Sequence, residues 1–322
     1  MNILVTGGAG YVGSSLAALL LESGHRVRVI DNLMYGGESL LSIWAHPDFE
    51  FRRGDLRDIE AVRFALADME AVVHLAAIVG DPACAQQPDL ARAVNLEASL
   101  SLIEESKKAG VSRFVFASTC SNYGRMADPD AHVDETSELH PISLYAETKV
   151  SVERAVLSQS RSEQFCATAL RSATVFGVSS RMRFDLTVNE FTMEMLTKNH
   201  LVVFGEQFWR PYIHVRDLGR AIKSLIESPV EKLNNQVFNV GSTDQNYQKQ
   251  QLVEMIRPLA PDASIEYVHK KEDPRDYRVS FEKIKRELGF AITRTVPDGV
   301  REVACLVKSG VIADYGNPKY RN

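Results

Sequence analysis

The sequence predicts an α/β fold, with a doubly wound parallel sheet and a smaller α/β lobe toward the carboxyl end, and three observations carry that prediction. Short apolar runs alternate with longer helical patterns through the first half, the order of β-α-β units feeding a parallel sheet. A glycine-rich turn stands between the first run and the first helical pattern. From about Gly177 the pattern changes to longer loops, scattered basic residues and isolated helices near 185–198 and 248–259. The chain has 322 residues, 45% hydrophobic and 25% charged. That composition is ordinary for globular proteins, and the length is that of about two domains.

The expected strands lie at 3–6, 26–30, 49–52, 72–76, 114–117 and 168–173, and most are nearly continuous apolar runs, as strands covered on both faces should be. A late run, Gln236-Val-Phe-Asn-Val-Gly241, reads as one more strand returning to the same sheet. The first domain is therefore expected to span 1–176 and to be rejoined by about 212–242. The second lobe then consists of 177–211 and 243–322. No internal repeat, low-complexity tract or flexible linker separates the two, which predicts firm packing between them.

Charge and cysteine usage exclude several classes of function. With 42 acidic and 37 basic residues the net charge is -5, so the chain has no broad electrostatic footprint for nucleic acid or an anionic membrane, and any anionic ligand must be held locally. Cys84, Cys120, Cys166 and Cys305 lie far apart and form no Cys-x-x-Cys pair, which argues against a zinc site or a disulfide framework and for a reducing cytoplasm. The opening Met-Asn-Ile-Leu-Val-Thr-Gly is no secretory leader, and no run of 18 apolar residues follows.

Thr6-Gly7-Gly8-Ala9-Gly10-Tyr11-Val12-Gly13 follows the first strand and opens a helix, the strand-turn-helix context of a dinucleotide fingerprint. Glycines there permit a tight turn and close approach of the backbone to a pyrophosphate, while the helix start presents free amides and a positive dipole end. The alternative is a glycine-rich turn without a ligand. Asp31 ends the second strand, 18 positions after Gly13. A carboxylate there can accept both ribose hydroxyls and repels a 2′-phosphate, favouring NAD over its phosphorylated form; otherwise it caps a loop.

Tyr145-Ala-Glu-Thr-Lys149 falls in a helix expected to begin near Ser143, so the phenol and the amine share one face. An ammonium beside a phenol is expected to lower its pKa, letting the phenolate remove a hydroxyl proton while hydride leaves the same carbon. The spacing occurs twice more, at Tyr267/Lys271 and Tyr315/Lys319, but the former runs into Pro274 and the latter contains Pro318, so neither offers a clean helical face. Upstream, the strand in Phe114-Val-Phe-Ala-Ser-Thr-Cys-Ser-Asn-Tyr-Gly124 ends in hydroxyl residues. Ser118 and Thr119 would face the crevice at the carboxyl ends of the strands, with Thr119 bonding the substrate oxygen that Tyr145 deprotonates; alternatively they cap the next helix.

With these residues in place the sequence resembles the extended short-chain dehydrogenase/reductase family, and within it the NAD-dependent nucleotide-sugar epimerases and dehydratases, over essentially the whole chain. The resemblance implies a Rossmann domain, NAD as cofactor and a nucleotide-diphosphate sugar as substrate. It assigns cofactor contacts to Gly7, Gly10, Tyr11, Val12, Asp31, Asn32 and Lys149, and to Asp55 and Leu56 in the adenine-contacting loop Gly54-Asp-Leu-Arg-Asp58, where Asp55 has helix capping as its alternative. Leu75, Ala76 and Ala77 line the nicotinamide side in His74-Leu-Ala-Ala77, and Asn95 matches an internal Asn that is often structural.

In the second lobe, Arg181-Met-Arg-Phe-Asp-Leu-Thr-Val-Asn189, Trp209-Arg-Pro-Tyr-Ile-His-Val-Arg-Asp217 and Asp273-Pro-Arg-Asp-Tyr-Arg278 resemble sugar-nucleotide elements. They imply substrate contacts from Asn189, Arg210 and Arg275, planar guanidinium forks being suited to phosphate. Each arginine taken singly reads equally as a solvated surface residue.

One departure from the family pattern matters. Where 4,6-dehydratases carry an Asp-Glu pair after the Thr, this chain has Cys120 and Ser121. Cys120 then reads either as a substrate-contacting acid or as a small strand-end filler, and a thiol with a serine is a poor substitute for an acid-base pair. The expected reaction is oxidation of a hexose hydroxyl at carbon 4, ending in epimerisation or net oxidation. Dehydration through Cys120, reduction of a non-nucleotide ketone and non-catalytic NAD sensing are the alternatives. Apolar Leu96, Leu100, Ile103, Val150, Val152 and Val156 on the helices around 90–108 and 144–160 suggest a homodimer.

Overall fold

The computed structural model describes residues 1–126, 128, 131–159, 164–270 and 275–322. Its strands are, in chain order, β1 (Asn2–Thr6), β2 (Arg26–Asp31), β3 (Phe49–Arg53), β4 (Ala71–His74), β5 (Arg113–Thr119), β6 (Cys166–Ser172), β7 (Thr174–Phe176), β8 (His200–Phe204), β9 (Trp209–His214), β10 (Gln236–Val240), β11 (Asn246–Gln248) and β12 (Ser264–Val268). Seven form one parallel sheet in the order β10-β6-β5-β4-β1-β2-β3. Successive residues of a strand point to opposite faces, and both faces are covered. Ile3, Val5, Val73 and Val115 join one apolar core, and Leu4, Val72, Phe114 and Phe116 join the other. That double coverage is why the runs read as continuously apolar.

Strand order reverses at β1, with β2 and β3 on one side and β4, β5, β6 and β10 on the other, so a crevice opens at the carboxyl ends of β1 and β4. The late strand β10 pairs with β6, in register from Gln236 opposite Thr168 to Val240 opposite Ser172. The first helix covers Tyr11–Glu22, and the chain enters it directly from Gly10. The run expected as one strand over 168–173 ends at Ser172. After Ala173 the chain leaves the sheet, and β7 pairs in parallel with β9, which β11 flanks on its other side. Residues 174–176 and 209–214 thus belong to a second, three-stranded sheet, while β8 and β12 form a third.

The helix Leu144–Leu157 begins as its sequence suggests, with Ser143 as N-cap accepting the Ala146 amide. It lies against β5 and β6. Its buried Glu153 meets Arg171 of β6 in a two-pronged ion pair with a closest approach of 2.6 Å, and also accepts from Ser118 of β5 at 2.6 Å. Arg171 further donates to the Tyr123 hydroxyl, which donates to Asn239 of β10. This polar network clamps the helix to three strands. Of the residues that suggested a homodimer, Ile103, Val150, Val152 and Val156 are buried within this chain's own core, and Leu96 and Leu100 are left at or near the surface.

Breaking a buried ion pair from one side strands a charge, which typically costs 3–5 kcal/mol. Arg171→Met is therefore expected to lower unfolding free energy by about that much in urea melts, far beyond the ~0.5 kcal/mol of a neutral surface change. A loss under about 1 kcal/mol would show that the clamp does not hold the helix.

Candidate active site

A cleft of about 600 Å³ runs along the carboxyl ends of the parallel strands and under the second lobe. At one end lies the glycine turn. Gly7 has φ +70°, and a Cβ there would come within 2.8 Å of the Ala76 backbone; one on Gly13 would collide with the Gly7 carbonyl. The helix that follows has no side-chain cap at Gly10 and no acidic residue in its first turn, so its leading amides stand ready for an anion. Gly7, Gly10, Tyr11 and Val12 all line the cleft.

Asp31 lines it too, at the end of β2. Its carboxylate accepts the Ala9 amide at 3.0 Å and the Leu33 amide at 2.8 Å, tying the glycine turn to the loop after β2. Burial raises its pKa, against the pull of those two amides. Asn32, Asp55 and Leu56 continue the same wall. Asp55 is not the helix cap, since Asp58 accepts the Glu60 and Ala61 amides. The Arg57 guanidinium holds the Asp55 carboxyl well below the usual carboxylate range. A cradle that any β-carbon would fill, uncapped amides and a carboxylate at the ribose position fit a dinucleotide.

Leu75, Ala76 and Ala77 form the floor beyond β4. Thr6 accepts the Leu75 and Ala76 amides, each at 3.2 Å, and contacts His74, whose other ring nitrogen meets Ser99. Burial, helped by Lys149, pushes His74 down to about 3, so it is a neutral strut. Asn95 sits in a one-turn π-helix, Ala93–Ala98, and brackets Ile78 by accepting its amide at 2.7 Å and donating to its carbonyl at 2.9 Å. The floor is thereby fixed from beneath.

Tyr145, Lys149 and Thr119 also line the cleft. Lys149 Nζ donates to the Ala117 carbonyl at 2.8 Å and lies 5.9 Å from the Tyr145 ring centroid. The expected lowering of the phenol does not occur. Burial raises the Tyr145 pKa and pushes Lys149 down to about 8, so desolvation dominates both groups. Thr119 both lines the cleft and caps the 3-10 turn Cys120–Tyr123, accepting the Ser121 amide at 3.1 Å. Of the two other Tyr/Lys spacings, Tyr267 lies in β12 and its Lys271 is outside the described residues. The Tyr315 hydroxyl donates to the Val307 carbonyl.

Of the four substrate candidates, Arg275 lines the cleft and Cys120, Asn189 and Arg210 do not. Cys120 does not line the cleft: its thiol packs in the core and donates to the Arg171 carbonyl at 3.3 Å, and burial raises its pKa. Asn189 is fully buried; it accepts the Gly177 amide and donates to the Arg183 carbonyl, both at 2.9 Å, stapling the turn after β7. Arg210 lies behind the wall, donating to the Trp209 carbonyl and facing the Tyr277 ring. Arg275 does line the cleft, bonded to Asp81 at 2.8 Å, while Asp273 and Pro274 of its motif lie outside the described residues. The wall also holds Ser121, Thr174, Tyr277, Arg181 and Arg183. The last two stood in the segment that pointed to Asn189. Tyr277 stood in the segment that pointed to Arg275, whereas Thr174 had no local signal, because only tertiary packing brings it to the strand ends.

The profile of the NAD dependent epimerase/dehydratase family matches residues 3–241. The chain belongs to that family. A UDP-glucose 4-epimerase of Corynebacterium glutamicum is 32% identical over 92% of this chain and 92% of its own length. A dTDP-glucose 4,6-dehydratase of Streptomyces griseus is 28% identical over 93% and 92% respectively. Among solved structures, a UDP-glucose 4-epimerase of Thermotoga maritima with UDP-glucose is 31% identical, with a TM-score of 0.85 over 96% of this chain and 99% of that one. Membership in the family agrees with the fingerprint, Asp31 and the Tyr145/Lys149 pair sharing one cleft.

A lysine ordinarily near 10.5 and lowered to about 8 in the fold destabilises the fold wherever it is charged, by at most about 3 kcal/mol below pH 8, and the penalty fades as pH rises from 8 to 10.5. The stability of Lys149→Met relative to the parent should accordingly be greatest near pH 7 and decline toward pH 10. Urea melts across that range giving a constant difference would contradict the assignment.

Proposed function

We propose that the protein is an NAD-dependent epimerase that oxidises a nucleotide-diphosphate sugar at carbon 4 and reduces it again from the other face. The observation that carries the reading is that Tyr145, Lys149 and Thr119 line the same cleft as the glycine turn and Asp31. Relatives named as UDP-glucose and UDP-glucuronate 4-epimerases support a uridine-diphosphate hexose as the first substrate to try.

In this reading the leading amides at Tyr11 and Val12 hold the pyrophosphate beside Gly7 and Gly10, Asp31 and Asn32 the adenosine ribose, Asp55 and Leu56 the adenine side, and Leu75 to Ala77 the nicotinamide face. Bound NAD supplies the acceptor, and later the donor, of one hydride. The chain's own residues handle the proton. Tyr145 Oη takes it from the carbon-4 hydroxyl and returns it to the keto oxygen, Thr119 Oγ1 orients that oxygen, and Lys149 bonds the nearby ribose while lowering the cost of a phenolate. Arg275 exchanges its bond to Asp81 for the substrate diphosphate.

The dehydratase alternative is without Cys120 as its acid, because the thiol faces the core and donates to the Arg171 carbonyl instead of to the cleft. Free thiols at Cys84, Cys120, Cys166 and Cys305 support a reducing compartment such as the cytoplasm, and no helix among the described residues is long and apolar enough to cross a membrane. A homodimer through the surface around Leu96 and Leu100 accompanies the reading.

Incubated with NAD and UDP-glucose, the protein should yield an isobaric carbon-4 epimer by mass spectrometry and chromatography. Tyr145→Phe should lower kcat by roughly 10² to 10⁴ while leaving NAD affinity within about twofold. A product lighter by one water, or a Tyr145→Phe enzyme of normal rate, would overturn the proposal.

A further inference from the structure

Arg181 has no part in the mechanism above, yet its setting is unusual for a cation. The residue is 6% exposed, and its Nε has no hydrogen-bond partner. One terminal nitrogen donates to the Arg321 carbonyl at 2.8 Å, and the guanidinium carbon lies 4.4 Å from the centre of the Tyr35 ring. Of the other arginines that line the cleft, Arg57, Arg183 and Arg275 each pair with a carboxylate, in Asp55, Asp185 and Asp81. Arg181 has a carbonyl and a ring instead. Burial, reinforced by the charge of Arg183 and opposed by that of Asp185, lowers its pKa to about 10, so it keeps its proton at neutral pH with no carboxylate bonded to it.

Its position says which anion. The segment carrying Arg181 is bolted to the start of the fingerprint helix, where Ser179 Oγ donates to the Tyr11 carbonyl at 2.6 Å and contacts Ser14 Oγ at 3.1 Å. Met182 and Phe184 share an apolar cluster with Tyr11 and Val12. Tyr35, beneath the guanidinium, belongs to the loop that follows Asp31 and Asn32. That loop, Asn32 to Glu38, contains no lysine or arginine. The first lobe therefore offers a pyrophosphate at this point amides and a helix dipole but no cation of its own loop, and Arg181 reaches the same place from the second lobe.

We propose that Arg181 is a cofactor-binding residue, its guanidinium supplying from the second lobe the positive charge that holds the dinucleotide pyrophosphate against the fingerprint helix. This rests on the reading of the cleft as an NAD site. It makes the cofactor a bridge between the lobes, since the phosphates then touch amides of one and a guanidinium of the other. A charge-assisted bond of this kind is worth roughly a 10- to 100-fold change in affinity.

Calorimetry with NAD, ADP-ribose, adenosine and UDP as probes tests it. Arg181→Gln should weaken NAD and ADP-ribose by roughly 10- to 100-fold and leave adenosine, which has no phosphate, within about twofold. The salt dependence of NAD binding should flatten in the same variant. Arg181→Lys keeps the charge without the planar fork and should show an intermediate loss for NAD with none for adenosine; it decides the matter should the glutamine variant fail to fold. Equal losses for adenosine and ADP-ribose would mean that Arg181 only shapes the site, and unchanged NAD affinity would mean that it holds no phosphate. A loss confined to UDP would assign the charge to the sugar nucleotide, and each of these results overturns the proposal. Failure of the parent protein to bind NAD or ADP-ribose would instead overturn the reading of the cleft, and this proposal with it.

Discussion

The docking of the helix Leu144–Leu157 onto the carboxyl end of β5 is the constraint on which the rest of the site depends. Two side chains from successive turns of that helix reach the strand: Lys149 bonds the Ala117 carbonyl, and Glu153 bonds Ser118 and Arg171. A lysine and a glutamate four residues apart share one face, so fixing Glu153 in the buried ion pair fixes the rotation of the helix. Tyr145 stands on the same face one turn earlier. Its place in the cleft thus follows from bonds made eight residues further on.

The cleft is otherwise built on paired charge and desolvation. Asp31 and Asp55 are held by amides and by Arg57, and Arg183 and Arg275 by carboxylates. Burial dominates at the reactive end, where the phenol is raised and the amine lowered. Burial thus works against the phenolate and the ammonium alike, and the chemistry at Tyr145 has to offset that cost.

Legibility of this fold and site in the sequence followed locality. The parallel strands, the glycine turn, Asp31 and the Tyr145 helix were readable because each is announced within a few residues by apolar runs, punctuation or helical spacing. Even the return of β10 to the sheet was visible as an apolar run out of place. The end of β6 at Ser172 was not, because the run continues apolar through Ala173 while the chain changes sheets. Asn189 and Cys120 were read toward the ligand by resemblance, but their partners, Gly177 and the Arg171 carbonyl, exist only in the folded chain. Arg181 is the converse, the first residue of a segment read toward the sugar nucleotide, whose lack of a bonded carboxylate appears only in the folded chain.

The central claim is that hydride leaves carbon 4 of a nucleotide sugar and returns to the same carbon, with the proton handled by Tyr145. UDP-glucose carrying deuterium at carbon 4 tests it most directly, with the product examined by NMR and mass spectrometry in ordinary water. The account predicts a carbon-4 epimer that keeps the deuterium at carbon 4. Loss of the label to solvent, or its appearance at another carbon, would contradict it.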